Sequence, residues 1–185
     1  MKKSITIFVA LFFAISFAFS QAVQEKDKII SLNIGFPPTG MWPGEKMKMP
    51  VISSNFDWLI KKAGPGTIGV GGLLGIVVTE DYYSVYYTSD FYKYTKIYLG
   101  ARGTYHWFPG TSDKIDTYAG FVLGGKIVSA KYNGDQVNPS IESNGSGVFG
   151  GPFVGIRYLF NPKFGVNAEL GYGVAVLNIG GSLKF

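Results

Sequence analysis

The end of the chain, KFGVNAELGYGVAVLNIGGSLKF (163–185), decides the fold. From Phe164 to Tyr172 every second residue is apolar, and the residues between them are glycine or polar. The same alternation returns from Leu177 to Phe185 after a short break. Because successive side chains of a strand point to opposite faces, each run predicts a strand with one apolar face and one polar or glycine-rich face. The short break predicts a tight hairpin.

The same two-residue period recurs in six earlier segments of the chain. Each segment has about nine residues or more, which is the length that a tilted transmembrane strand needs. Together they predict an all-β protein, an eight-stranded antiparallel up-and-down transmembrane β-barrel. The predicted strands are residues 28–36, 51–60, 67–79, 94–108, 116–132, 147–160, 164–172 and 177–185.

A final alternating strand that ends the protein on an aromatic residue, Phe185, resembles the C-terminal strand of bacterial outer-membrane β-barrels. The chain length is similar to that of the small members of this family, of the OmpA-transmembrane-domain or OmpX type. The resemblance implies a barrel domain over residues 28–185 in the cell outer membrane, in contact with outer-membrane lipids and lipopolysaccharide. It also implies that Phe185 belongs to the C-terminal assembly signal read by the barrel-assembly machinery.

Residues 1–20 have the pattern of a signal peptide. Two lysines precede an apolar run, and AFSQA (18–22) offers small residues for cleavage. Cleavage could follow Ser20 or Ala22, and the sequence does not decide between them. The apolar run is too short for a membrane-spanning helix, so this segment predicts export.

The connections between the predicted strands alternate between short and long, except that the last one, between the seventh and eighth strands, is very short. The second, fourth and sixth are short: KAGPG (62–66), PGTSDK (109–114) and NPK (161–163). Barrels of this class have short periplasmic turns and long extracellular loops, which predicts both chain termini in the periplasm. Aromatic residues at the two ends predict girdles at the two membrane boundaries. They are Trp58, Trp107, Tyr158, Phe160, Phe164 and Phe185 on the periplasmic side, and Tyr82, Tyr83, Tyr92, Tyr132 and Tyr172 on the extracellular side.

The alternation alone would also fit a soluble eight-stranded ligand carrier, whose apolar face points inward. In this chain the glycines lie on the same strand faces as the charged residues. The interior of an eight-stranded barrel is narrow, so long charged side chains fit there only beside small residues. We therefore place the charged face in the lumen and the apolar face against lipid. Four charged residues of that face lie at comparable depth: Asp57, Arg102, Arg157 and Glu169.

These four residues predict a lumen plugged by paired charges, because an unpaired charge in a narrow interior is costly. A three-residue turn at 161–163 places Arg157 opposite Asn167, with Glu169 diagonal to Arg157 and within reach of it. Arg157 and Glu169 are therefore a predicted ion pair. The alternative is that the charges form a gate across a narrow small-solute channel.

His106 is the only histidine, and the chain has no cysteine. Some small outer-membrane barrels are lipid-modifying enzymes that use a histidine, which is a further alternative. No motif ties His106 to a serine or an acid, so we predict a satisfied lumen or interface histidine. We expect no catalytic residue, cofactor or metal site, and the dispersed basic residues predict no nucleic-acid surface. The predicted role is structural or surface-interaction, with an extracellular partner that the sequence does not name.

Overall fold

A computed structural model describes residues 22–41, 45–82, 91–107, 113–133 and 146–185. The predicted signal peptide, residues 1–20, lies outside this part of the chain. No helix in the described ranges is long and apolar enough to cross a membrane. The strands are β1 (Lys28–Pro38), β2 (Glu45–Met47), β3 (Val51–Ala63), β4 (Gly66–Tyr82), β5 (Phe91–Trp107), β6 (Ile115–Asn133), β7 (Gly147–Leu159), β8 (Phe164–Gly171) and β9 (Ala175–Lys184).

Eight of these strands form a closed antiparallel barrel. From β3 to β9 each strand pairs with the next one along the chain, and β1 pairs with both β3 and β9. The ring is therefore complete and leaves no open sheet edge, as a membrane-spanning sheet requires. The predicted eight-stranded up-and-down barrel is confirmed.

The strand ends opposite the chain termini are more regular than predicted. Residues 37–50 were expected to contain no strand, which is wrong, because β1 runs on to Pro38 and β2 lies within this stretch. Glu45 of β2 pairs with Asp81 of β4, at a height where β3 no longer covers β4. The short strand thus satisfies backbone groups that would otherwise form an open edge. β4 and β5 also extend beyond the predicted strands 67–79 and 94–108, up to the pair Tyr82–Phe91.

The two faces of the strands separate as predicted. Leu32 and Leu99 are each 65% exposed, whereas Asn33 and Asp57 are 2% and 1% exposed. In water the burial of apolar surface stabilises the folded state, so a soluble barrel would have the reverse arrangement. The soluble-carrier alternative is inconsistent with this pattern. Exposed apolar side chains surround the barrel and form the belt that faces the hydrocarbon of a bilayer.

Aromatic side chains at the end of the barrel that carries the chain termini face outward, as predicted. Trp58 is 46% exposed and lies under the Lys28 ammonium, 5.9 Å from the ring centre. Tyr158 packs edge-on against Phe160 with ring centres 5.6 Å apart. At the other end Tyr172 is exposed. These residues mark both boundaries of the apolar belt. The side chains of Tyr82, Tyr83 and Tyr132 lie outside the described residues.

The turn between β7 and β8 has the predicted register. Arg157 pairs with Asn167 across the ladder. In the turn, the Asn161 side-chain oxygen accepts hydrogen bonds from the backbone nitrogens of Lys163 and Phe164, both at 2.9 Å. An asparagine that bonds to the backbone two and three residues on stabilises a tight turn of this kind. This turn keeps Arg157 and Asn167 on the lumen side.

Candidate functional site in the barrel lumen

The inward side chains of β3 change in character from the end near the chain termini to the opposite end. Leu59 is followed by Asp57, Asn55, Ser53 and Val51, and each is at most 3% exposed. The lumen accordingly has an apolar floor, a polar middle that we call the ionic layer, and an apolar layer above it. The floor contains Val23, Ile29 and Leu59. The apolar layer contains Val51, Leu73, Val77, Tyr98, Tyr118, Val122, Phe153, Val174 and Ala175.

All four charged residues predicted for the site meet in the ionic layer, around Arg102. Its Nε lies 2.9 Å from Asp57 Oδ1, and its Nη2 lies 2.7 Å from Glu169 Oε1. Its Nη1 donates a second, longer hydrogen bond of 3.4 Å to Glu169 Oε2. A two-point contact of this type is the strongest geometry for an arginine and a carboxylate. The guanidinium also lies over the Phe153 ring, 4.3 Å from its centre.

The predicted ion pair between Arg157 and Glu169 is wrong. Arg157 Nη1 instead donates to Asp116 Oδ2 at 2.5 Å, and its Nη2 lies 4.0 Å from Asp57 Oδ2. The register that placed Glu169 diagonal to Arg157 is correct. The Glu169 carboxylate, however, points across the lumen to the arginine of β5 rather than along the ladder to β7. Asp57 is left between the two arginines and links their ion pairs.

Neutral donors complete the environment of Glu169. Tyr118 Oη donates to Glu169 Oε1 at 2.9 Å, and Asn55 Nδ2 donates to Oε2 at 3.1 Å. Gly155 stands opposite Glu169 in the ladder, and a Cβ at this position would collide with the Tyr118 ring. The prediction that lumen glycines make room for charged side chains needs a correction here. Gly155 makes room for the aromatic ring of Tyr118, and the hydroxyl group of Tyr118 donates to the Glu169 carboxylate.

A chain of neutral polar groups ties the ionic layer to the strands that close the barrel. Arg157 Nε donates to Ser182 Oγ at 3.0 Å, and Ser182 Oγ donates to Asn167 Oδ1 at 2.7 Å. Asn167 Nδ2 then donates to Asn33 Oδ1 at 2.7 Å. These bonds join β7, β9, β8 and β1 in that order. Buried polar networks are stabilising when their members are satisfied, and this chain pairs each of its groups in sequence except Asn33 Nδ2, which is buried without a hydrogen-bond partner.

Asp116 was missed in the sequence, whereas His106 was predicted as a satisfied lumen or interface histidine. Asp116 is fully buried, and its Oδ1 lies 2.9 Å from His106 Nδ1. The other ring nitrogen, Nε2, lies 3.0 Å from Thr104 Oγ1, and the ring stacks on Tyr118 at 5.1 Å. The predicted strands 94–108 and 116–132 place His106 opposite Tyr118 if they form a hairpin. Asp116 is then diagonal to His106 on the same face, so this contact was predictable from register.

Above the apolar layer, connections at the end opposite the chain termini fold into the mouth of the barrel. Glu45 Oε2 lies 2.6 Å from Lys96 Nζ, and each side chain is only 2% exposed. Thr39 Oγ1 donates to the Gly173 carbonyl oxygen at 2.5 Å, and Tyr98 Oη donates to the Thr39 carbonyl oxygen at 3.3 Å. The connections after β1 and after β8 are thereby joined to each other and to β5 at the level of the mouth.

Little space is left among these side chains. The cavity beside Arg102 and Glu169 has a volume of about 10 Å³, which is room for about one water molecule. Within the described ranges, no group of three or more histidine, cysteine or acidic residues is arranged to hold a metal ion. The ionic layer can hold charges in fixed pairs and fill the barrel, and it offers no open position to a bound molecule next to Arg102.

Comparison with known proteins supports the fold. No family model matches the chain, and no curated protein matches its sequence. The solved structure of the outer membrane protein OprG from Pseudomonas aeruginosa matches 90% of this chain and 99% of its own, with a TM-score of 0.56 at 12% identity. Ail, the attachment invasion locus protein of Yersinia pestis, matches 88% of this chain and 100% of its own, with a TM-score of 0.47 at 13% identity. The likeness to OprG shows the fold, a closed eight-stranded antiparallel β-barrel of the type found in outer-membrane proteins.

Proposed function

We propose that the protein is a sealed outer-membrane barrel with a structural or surface-interaction role, whose lumen is plugged by paired charges. The observation that carries this proposal is the filling of the lumen at successive heights. The floor, the ionic layer, the apolar layer and the Glu45–Lys96 pair leave a cavity of about 10 Å³ next to Arg102. A hydrated ion or a small solute needs a continuous path that is wider than one water molecule, and the narrow interior of eight strands is already occupied.

The ionic layer also supports a structural role because it defines the inside of the barrel. A shift of one residue in strand pairing would move every side chain of a strand to the opposite face. For β5 such a shift would turn Arg102 toward lipid, where an arginine costs about 2–4 kcal/mol at the bilayer midplane. It would also leave Asp57 and Glu169 without their cation. The buried charges therefore specify the register, in addition to filling the lumen.

The channel alternative is tested by conductance. Purified protein inserted into planar lipid bilayers at high salt should show no discrete openings above the baseline of the bare membrane. An open porin inserted in parallel shows that the assay detects channels. Discrete openings that change in size or frequency in Glu169→Gln protein would establish a conducting path through the ionic layer and exclude a sealed barrel.

The side chains that fill the lumen also speak against an enzymatic role for the barrel. Thr104, His106 and Asp116 have the hydrogen-bond order of a nucleophile, a base and an acid, which is the feature that favours the lipid-modifying alternative. They are, however, 4%, 1% and 0% exposed. A lipid ester could not reach Thr104 Oγ1 without displacing the side chains around it. We therefore assign these hydrogen bonds to the packing of the ionic layer.

Both termini are proposed to lie in the periplasm, which cysteine labelling can test because the chain has no native cysteine. Lys131→Cys and Lys163→Cys place single thiols at exposed positions on opposite ends of the barrel. On intact cells, a membrane-impermeant maleimide should label the first variant and not the second. After the outer membrane is permeabilised, both should react. Labelling of Lys163→Cys alone on intact cells would mean that the barrel is inverted.

Phe185 is proposed to act in assembly rather than in the stability of the finished barrel. Its ring is 56% exposed, and its backbone exchanges two hydrogen bonds of 2.9 Å with Lys28. Deletion of Phe185 removes only this last pair, so refolding into detergent should be nearly intact. In cells the same deletion should sharply reduce the amount in the outer membrane, as quantified by immunoblot of membrane fractions. Phe185→Tyr is the matched control and should be recovered at the normal level. A normal level of the deletion variant would remove the assembly role.

A further inference from the structure

The segment that precedes β1 is built into the barrel rather than hanging from it. Ala22 and Val23 are 3% and 1% exposed, and Val23 packs with Ile29 and Leu59 in the apolar floor of the lumen. If residues 22–27 were detached from the barrel, the lower side of this floor would be open to water. Because Val23 covers Ile29 and Leu59, Ala22 and Val23 belong to the folded structure.

Hydrogen bonds hold this segment in one position. Lys26 N donates to the Leu59 carbonyl oxygen at 2.7 Å, and Leu59 N donates to the Asp27 carbonyl oxygen at 2.9 Å. Asp27 Oδ2 accepts from Gln24 N at 2.8 Å, which closes a tight turn. Backbone groups of both the segment and β3 are thereby satisfied, so the segment is continuous with the barrel in bonding as well as in packing.

The other anchor is Lys184, the last residue of β9. Its Nζ donates to the Ala22 carbonyl oxygen at 2.8 Å and lies 3.3 Å from Asp27 Oδ2. The Lys184 side chain is only 17% exposed. The ammonium therefore depends on two acceptors at the periplasmic end, and one of them is the carbonyl group of Ala22.

This contact distinguishes the two possible cleavage sites. Cleavage after Ala22 would remove the acceptor of Lys184 and convert the buried Val23 nitrogen into an α-ammonium group. The Ala22 oxygen and the Val23 nitrogen are bonded to the same carbon, so the new charge would lie within roughly 5 Å of Lys184 Nζ. Two ammonium groups would then share Asp27 next to the apolar floor, an arrangement that burial and like charge both disfavour.

We propose that signal peptidase hydrolyses the bond between Ser20 and Gln21, and that the bond between Ala22 and Val23 stays intact as part of the floor. In this step water adds to the Ser20 carbonyl carbon, the bond from that carbon to the Gln21 nitrogen breaks, and Gln21 carries the new α-amine. The mature chain then keeps the Ala22 carbonyl for Lys184 and the Val23 side chain for the floor. This inference concerns processing and does not depend on the role of the sealed lumen.

Intact mass of the processed protein tests the proposal directly. The full chain is expressed with residues 1–20 in a Gram-negative host, purified from outer membranes, and measured by mass spectrometry with mapping of the N-terminal peptide. The expected first residue is Gln21, either unmodified or after loss of ammonia through cyclisation of an N-terminal glutamine. A first residue of Val23 would overturn the proposal.

A second measurement tests the physical reason. Two proteins that begin at Gln21 and at Val23 are released from removable fusions and refolded in the same detergent. We expect the Val23 protein to have the lower thermal midpoint, and the difference to be larger near pH 6 than near pH 9, because an α-amine is charged only below about pH 8. In the Lys184→Met background the difference should shrink. Equal midpoints of the two proteins at the lower pH would overturn the proposed role of the Ala22–Lys184 contact.

Discussion

Arg102→Met is expected to destabilise the folded barrel by about 3–5 kcal/mol, because it breaks a buried charge cluster from one side. Asp57 would keep only the distant Arg157 nitrogen at 4.0 Å, and Glu169 would keep only the neutral donors Tyr118 and Asn55. Methionine preserves most of the volume over the Phe153 ring, so the loss is chiefly electrostatic. Reversible urea unfolding from lipid vesicles measures the effect as a shift of the midpoint at unchanged slope.

The triple change Arg102→Met, Asp57→Asn and Glu169→Gln is the control for this interpretation. It removes the cation together with both carboxylates, so no uncompensated charge remains, and much of the lost stability should return. Lys62→Met, at an exposed position near the turn between β3 and β4, should leave the midpoint within experimental error of the parent. If the single and triple variants were equally unstable, the ion pairs of Arg102 would not be the source of the effect.

Leu99→Arg is expected to cost about 2–4 kcal/mol in the same unfolding measurement, since it places an arginine in the lipid-facing belt. Leu99 is 65% exposed and lies about midway between the Lys93 and Trp107 ends of the outward face of β5. An arginine here cannot reach either boundary without bending far along the strand. The effect is therefore close to that of a charge at the bilayer midplane.

Lys93→Arg is the matched control, because it changes a residue of the same face and strand beyond the apolar belt. It should be close to neutral. Refolding into detergent, where micelles adapt to a polar group, should reduce the loss seen for Leu99→Arg. A neutral Leu99→Arg variant in lipid vesicles would contradict the assignment of the apolar face to the outside.

The fold was predictable because successive residues of a strand face lipid and lumen in turn. Lipid favours apolar side chains, and the lumen favours polar or small ones. Along β8, Phe164 and Val166 are exposed while Gly165 and Asn167 are buried, as the alternation predicted. The same rule placed Arg102 in the lumen. The depth of the charged residues followed from their distance to the predicted turns, so their meeting in one layer was predictable as well.

The pairing inside the layer was less predictable for a geometric reason. Ladder register defines the neighbours of a residue on adjacent strands, and it led to Arg157 as the partner of Glu169. The true partner, Arg102, lies on β5, which is not adjacent to β8. Contacts across a lumen depend on barrel closure and on side-chain rotamers. Val23 was missed because one apolar residue in a polar segment has no periodicity to detect.

The composition of the ionic layer bears on how the barrel forms. Its five charged partners come from five different strands, so a sheet that lacks any one of these strands would break at least one of the ion pairs. In a membrane such a sheet would also have two open edges, each with unsatisfied backbone groups. A partial barrel is therefore destabilised both by broken ion pairs and by unsatisfied backbone groups. Insertion should behave as a cooperative transition in which the pairing of β1 with β9 completes the last contacts. The five residues are Asp57 on β3, Arg102 on β5, Asp116 on β6, Arg157 on β7 and Glu169 on β8.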